Sequence, residues 1–203
     1  MPRRLIVLIA FAAVAACSSG PTITAKQLGA IMPSSVDAPP DTTLQAKQSG
    51  PKTLKEFVAD SAVREKLRGL GFRVGYVAAF TTRNFPAELT TAPLGTKLYG
   101  AFAVLFRDGG AAEKALVFYR SRSLKKAKSP ATVLTEKLKL GKDAFAFRFA
   151  SLEDTPLPGV VYFWRVGNAL FEVVGAGNQG PDPEAVRALA QKINSRALNP
   201  GAD

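Results

Sequence analysis

"VVYFWRVGNALFEVVG" (Val160–Gly175) is the stretch from which the fold can be read. β-branched and aromatic residues fill both halves, a composition that suits a pleated and largely buried surface. Gly167-Asn168 between them is a two-residue connection of the kind that closes a tight hairpin, because glycine supplies the backbone conformation such turns need. Two antiparallel strands with so much apolar surface require further strands beside them and helices above them.

Both flanks supply these elements. Upstream, "AFAFRFA" (144–150) sets Phe145, Phe147 and Phe149 against Ala144, Ala146 and Arg148, the period of two of a strand with distinct faces. Downstream, "PDPEAVRALAQKINSRAL" (181–198) predicts a helix: Asp182 can cap it, Pro183 suits its first turn, and Val186, Leu189, Ala190 and Ile193 face inward. Earlier, "TLKEFVADSAVREKLRGLG" (53–71) predicts another. Thr53 and Glu56 have capping-box spacing, Leu54, Phe57, Val58, Ala62 and Leu67 form a stripe, and Gly69 and Gly71 end it. "FRVGYVAAFT" (72–81) and "TKLYGAFAVLF" (96–106) read as strands, "RDGG" turns the chain at Asp108, and "AAEKALVFYRSR" (111–122) reads as a helix with Ala112, Leu116 and Tyr119 on one side. A basic connector follows, Lys125 to Lys142, with room for a strand around Thr132 to Leu138. The order α-β-β-α-(β)-β-β-β-α predicts an α+β fold: one two-layer domain, residues 52–203, with an antiparallel sheet of about five or six strands and helices mainly on one face. The two hairpin-then-helix units, Phe72 to Arg122 and Val160 to Leu198, raise the option of a β-β-α duplication.

Alternation divides the sheet into a coarse and a fine face. Phe72, Tyr76, Phe80, Phe102, Phe106, Phe145, Phe147 and Phe149 are expected on the helix side. Gly75, Val77, Ala79, Ala101, Ala103, Leu105, Ala144 and Ala146 fall on the other, with Arg73, Arg107 and Arg148 among them. Either another helix or strand of the domain covers that fine-grained face, or the face is simply exposed, or it is a groove for a small apolar or anionic ligand, with an arginine meeting the charged end. The candidate ligand residues are Arg73, Tyr99, Arg107, Arg148 and Trp164. Trp164 and Tyr162 belong either to the core or to the mouth of that groove.

The N-terminus bears on location. Arg3 and Arg4 precede an apolar run, Leu5 to Ala13, too short for the roughly 20 residues that span a bilayer, and the small residues Ala15 and Ala16 precede Cys17. Val14-Ala15-Ala16-Cys17 resembles the lipobox of bacterial lipoproteins. The resemblance implies that residues 1–16 are a cleaved signal peptide and that Cys17 carries an acyl anchor. With one cysteine in the chain there is no disulfide partner for it, and an unpaired thiol is a liability in an oxidising compartment. Residues 17–51, rich in Pro, Ser, Thr and Gln, read as a flexible tether reaching on the order of 30 Å, with room for a short helix around Ile23 to Ala30. The segments "GFRVGYVAAF", "LFRDGGAAEKALVFYR" and "VVYFWRVGNALFEVVG" look like those of uncharacterised small lipoproteins, especially actinobacterial ones. That likeness implies a lipid-anchored place on the extracytoplasmic side of a cell membrane or outer membrane.

Composition narrows the chemistry. The chain has no histidine, which excludes Ser-His and Cys-His nucleophiles and histidine-bearing zinc sites. Ser129, Ser151, Glu153 and Asp154 could serve a serine or carboxylate mechanism by residue type, but no companion motif accompanies them. "GAGNQGPD" (175–182) is read as a plain turn, since no βαβ unit follows it. No catalytic residue, metal or cofactor is expected. Loss of Arg3 and Arg4 with the leader would lower the formal charge from +11 to +9, still basic enough to favour anionic partners. Export argues against nucleic acid. Arg120, Arg122, Lys125, Lys126 and Lys128 are either a solvated loop or a patch that meets anionic lipid or wall polymer. The expected function is non-enzymatic binding of a ligand or envelope component; the alternative is an accessory subunit docked on a membrane complex. An apolar pocket of several hundred cubic ångströms favours the first, and a filled sheet with an exposed apolar patch the second.

Overall fold

The computed structural model describes residues 20–82, 94–127, 131–135, 138–151 and 157–201. The elements begin with helix α1 (Ala25–Ile31), strands β1 (Thr42–Leu44) and β2 (Gly50–Lys52), and helices α2 (Leu54–Phe57) and α3 (Ser61–Gly69). Strands β3 (Phe72–Thr82) and β4 (Lys97–Phe106) lead to helix α4 (Gly109–Lys126). Strands β5 (Thr132–Val133), β6 (Lys142–Phe149), β7 (Gly159–Val166) and β8 (Ala169–Gly177) precede helix α5 (Pro183–Leu198). Among the described residues the strands form one antiparallel sheet in the order β1-β3-β4-β8-β7-β6-β5, with β2 also paired to β3.

The hairpin at 160–175 lies at the heart of this sheet. Val166 faces Ala169, and Gly167 turns the chain with φ of 55°. All of β7 is buried, on both faces. Trp164 stacks on Phe171 at 5.4 Å, while Phe145 and Phe147 stack on Phe163 on the opposite face. Helices therefore cover both faces, giving three layers where two were expected. α1 and α5 pack over Ala101, Ala103, Tyr162, Trp164 and Phe171; α3 and α4 pack over Phe106, Phe147, Phe163 and Leu170. The fine-grained face is small because α5 and the large rings of β7 and β8 fill the space above it. Val186, Leu189, Ala190 and Ile193 are buried there, as their spacing predicts.

A bulge accounts for the mistaken face pattern. The β3–β4 register shifts between Phe72 and Val74, so Phe72 lies with Phe106 while Tyr76 and Phe80 lie on the α5 face. The two β-β-α units are present, but α4 and α5 lie on opposite faces. The half-turn about the sheet normal that carries β3-β4 onto β7-β8 leaves the helices on opposite sides, so the units are not copies of one structure.

Residues 20–51 are not a free tether but a strap folded onto the sheet. A capping box joins Thr24 and Gln27, and Ile23, Leu28, Ile31 and Met32 are buried. Each such side chain contributes about 1.5–3 kcal/mol by leaving water, which offsets the ordering of a segment otherwise poor in apolar residues. β1 and β2, absent from the expected strand count, occupy one edge of β3. Two polar fastenings complete the strap. The Asn168 side chain accepts from the Ile23 N–H at 2.8 Å and donates to the Ile23 and Phe106 carbonyls. Asp37, its side chain wholly buried, accepts from Arg196 at 2.9 and 3.0 Å and pairs with Lys192 at 2.5 Å. Burial alone would raise the Asp37 pKa; the hydrogen bonds from Arg196, Lys192 and the Ser34 N–H outweigh it and hold the carboxyl well below its ordinary range.

The helix expected over 53–69 is broken in two. Its capping box forms, with the Thr53 N–H donating to Glu56 at 2.8 Å, but Asp60 caps a new helix by accepting from the Ala62 and Val63 N–H groups. α4 runs on through Lys126, so Arg120, Arg122, Lys125 and Lys126 occupy its last turns and not a loop.

Candidate functional site

The break between α2 and α3 opens a space between these helices, the second half of α4 and the sheet. The resulting cavity measures about 1230 Å³ and is open to solvent. Phe57, Val63, Phe102 and Phe118 form its apolar lining, and Asp60, Arg122, Lys125 and Lys126 also line it. Phe57 lies directly over Gly75, where a Cβ would come within 2.4 Å of its ring. Gly75 therefore admits a wall of the cavity, not a ligand on the opposite face. Phe57 meets Phe102 edge-on, with centroids 6.5 Å apart.

Glu172 lines the same space from β8, paired across the sheet to Phe102 on one side and Phe163 on the other. Among the described residues its carboxylate has neither a hydrogen bond nor an ion pair, and burial pushes its pKa from 4.5 up to about 7. The neighbouring Tyr119 hydroxyl of α4 is buried without a partner, and burial and the Glu172 charge both push the phenol upward. Arg165, two residues from Phe163, is committed elsewhere: it pairs with Asp143 at 2.7 Å and with Glu113 at 3.3 Å. A half-buried acid beside an unsatisfied phenol, at the bottom of an aromatic cleft, leaves hydrogen-bonding capacity for a bound molecule.

No family model and no curated protein sequence matches this chain. Its fold is similar to that in the crystal structure of the extracellular domain of PknH from Mycobacterium tuberculosis, with a TM-score of 0.55 over 89% of this chain and 100% of that one. Sequence identity is 11%, so the likeness is one of fold.

The sequence-predicted ligand residues do not assemble. Tyr99 and Trp164 are 1% and 0% exposed in the core beneath α5, and burial pushes the Tyr99 phenol up to about 12. Arg73 and Arg148 are exposed on β3 and β6, and Arg107 pairs with Asp108 at 3.2 Å. The groove expected on the fine-grained face is occupied by the protein's own helices. Within the basic group, Arg120 lies over the Phe145 ring at 4.4 Å, Arg122 pairs with Asp60 at 2.9 Å, and Arg122, Lys125 and Lys126 line the cavity. Lys128, Cys17, Ser129, Glu153 and Asp154 lie outside the described residues. Val36, Leu94, Val117, Val133 and Leu198, the exposed large apolar side chains among the described residues, lie on five separate segments of the sequence. Glu172 and Tyr119 were not among the expected site residues. The available signal was parity: in "ALFEVVG", Glu172 shares a face with Leu170 and Val174, so a carboxylate is directed to a covered side of the sheet.

Proposed function

We propose that this protein is a lipid-anchored envelope protein of the extracytoplasmic side whose domain binds a small ligand, without catalysis, in the cavity over Glu172. The observation that carries the reading is the unpaired carboxylate in that open, aromatic-lined space. A purely structural role would have paired it or replaced it, since a buried charge with no partner destabilises the fold. The shared fold with an extracellular domain supports the extracytoplasmic placement.

Acylation at Cys17 would moor the protein, as two acyl chains bind a bilayer stably where one binds marginally. Because the packed strap begins at Gly20, the free reach from Cys17 is at most about 11 Å. The domain would then sit against the membrane instead of ranging from it. Native mass spectrometry of the mature protein from its own host tests the binding reading. The expected result is a co-purifying small molecule, lost from a Glu172→Gln variant; a bare protein with an unoccupied cavity under gentle extraction overturns it. Anchoring is tested separately, since Cys17→Ser is expected to move the protein from the membrane to the soluble fraction.

A further inference from the structure

The charges around the cavity have an order. Glu172 lies at the sheet with Phe102 beside it, Phe57 packs against Phe102, Phe118 lines the same space from α4, and Arg122, Lys125 and Lys126 lie along the last turns of α4. A neutral apolar molecule would leave the desolvated Glu172 carboxylate without compensation. An anion would meet Glu172 with like charge. A substituted ammonium group instead gains from a carboxylate and from aromatic rings together, the combination that recognises quaternary ammonium ions. The basic end of α4 in turn favours an anionic substituent on the same molecule.

We propose, building on the binding reading above, that the cavity takes a zwitterion: an alkylated ammonium group seated on Glu172 among the Phe57, Phe102 and Phe118 rings, joined to a phosphate or carboxylate at Arg122 and Lys125. Among the described residues, the titratable and charged groups that share the cavity with Glu172 are Tyr119, Arg122, Lys125 and Lys126 of α4 and Asp60 from the α2–α3 connection, Tyr119 being near enough for the Glu172 charge to act on it; β4 and β7 present Phe102 and Phe163 beside it. Because burial places the carboxyl near neutrality, a cation bound there drives off its proton. Binding is therefore accompanied by release of up to one proton below pH 7.

Isothermal titration of the mature, detergent-solubilised protein at pH 6, in two buffers of different ionisation enthalpy, tests this with phosphocholine, choline and inorganic phosphate. Phosphocholine should bind at least tenfold more tightly than either fragment, with net proton release. Glu172→Gln should weaken phosphocholine and choline at least tenfold and abolish the release measured with choline, which has no titrating group of its own, while Lys125→Ala should weaken phosphocholine and spare choline. Tighter binding to phosphatidylcholine vesicles than to free phosphocholine, with the same dependence on Glu172, identifies a lipid headgroup as the source of the zwitterion. Phosphate equal to phosphocholine, or Glu172→Gln without effect, overturns the proposal. The anionic fluorophore 1-anilinonaphthalene-8-sulfonate separates the two readings. If it binds and is lost on Phe102→Ala while phosphocholine fails to bind, the zwitterion falls and the cavity reading stands; if neither binds, both fall.

Discussion

Replacing Glu172 by Gln is expected to stabilise this protein, and to do so only above mildly acidic pH. Burial pushes the folded carboxyl up to about 7, against 4.5 in its absence. Between those values the native state holds a proton that the unfolded chain has released. Wild-type stability therefore falls as pH rises through that window and levels off above it. Shifted over that range, the group opposes folding by about 3 kcal/mol at pH 8; water in the open cavity screens part of this, leaving about 1.5–2 kcal/mol. Gln has nearly the same shape and does not titrate, so the variant should match wild type near pH 4.5 and exceed it by that amount at pH 8. Urea unfolding at a series of pH values would follow the fluorescence of Trp164, the one tryptophan, which is wholly buried against Phe171. With a slope of about 2 kcal/mol per molar urea, the midpoint should rise by about 1 M at pH 8. A difference that does not change with pH, or a variant less stable than wild type at pH 8, would refute the assignment of an unpaired, desolvated acid.

The other expectations concern the strap and the cavity wall. Asp37→Asn should lower stability by about 2 kcal/mol at pH 7, or about 4–8 °C in Tm; because the folded carboxyl is held well below its ordinary range, the deficit starts to shrink only as the unfolded chain takes up its proton and is lost only once the folded group is protonated too, so thermal melts at pH 7 and pH 3 should both show it, smaller at pH 3. Asn168→Ala removes three hydrogen bonds at the β7–β8 turn and should cost about 2–3 kcal/mol, with amide exchange accelerated most from Ile23 to Met32. Gly75→Ala should force the Phe57 ring into the cavity, costing about 1–3 kcal/mol in a melt and weakening fluorophore binding more than Gly29→Ala, where the nearest atom is 3.8 Å away.

Long, strongly patterned elements are legible in the sequence; of the short ones, α1 answers the helix expected around Ile23 to Ala30 and β5 the strand expected around Thr132 to Leu138, while β1 and β2 are not legible. β6, β7, β8 and α5 follow from period two, from Gly167-Asn168 and from the Asp182-Pro183 start, because these signals are local and repeat several times. The strap defeats such reading for a physical reason. β1 and β2 are three residues each, too short to display a period, and owe their order to the edge of β3; α1, expected as a short helix, is fixed to the domain by Ile23 and Leu28, a packing that the composition of the segment does not announce. Face parity failed on β3 because one bulge between Phe72 and Val74 transfers every later side chain to the other side. In the site, Phe57 and Phe102 were counted as core, whereas the break at Asp60 leaves them facing open space. Glu172 was passed over as an ordinary strand residue. Its significance depends on α4 standing above it, a long-range contact that no spacing encodes.

The Asn168 clasp also determines how the domain bears load. The N-terminal chain enters beside Gly167, where a Cβ would collide with the Pro21 carbonyl at 1.8 Å, and it is bonded to the turn of a hairpin whose β8 strand sits mid-sheet. Tension applied from upstream of Gly20 would thereby be delivered to the hairpin's buried strands, not to an edge that could peel. A tug from that side should meet a stiff molecule, while the same tug at the far end of α5 would begin by unwinding a terminal helix.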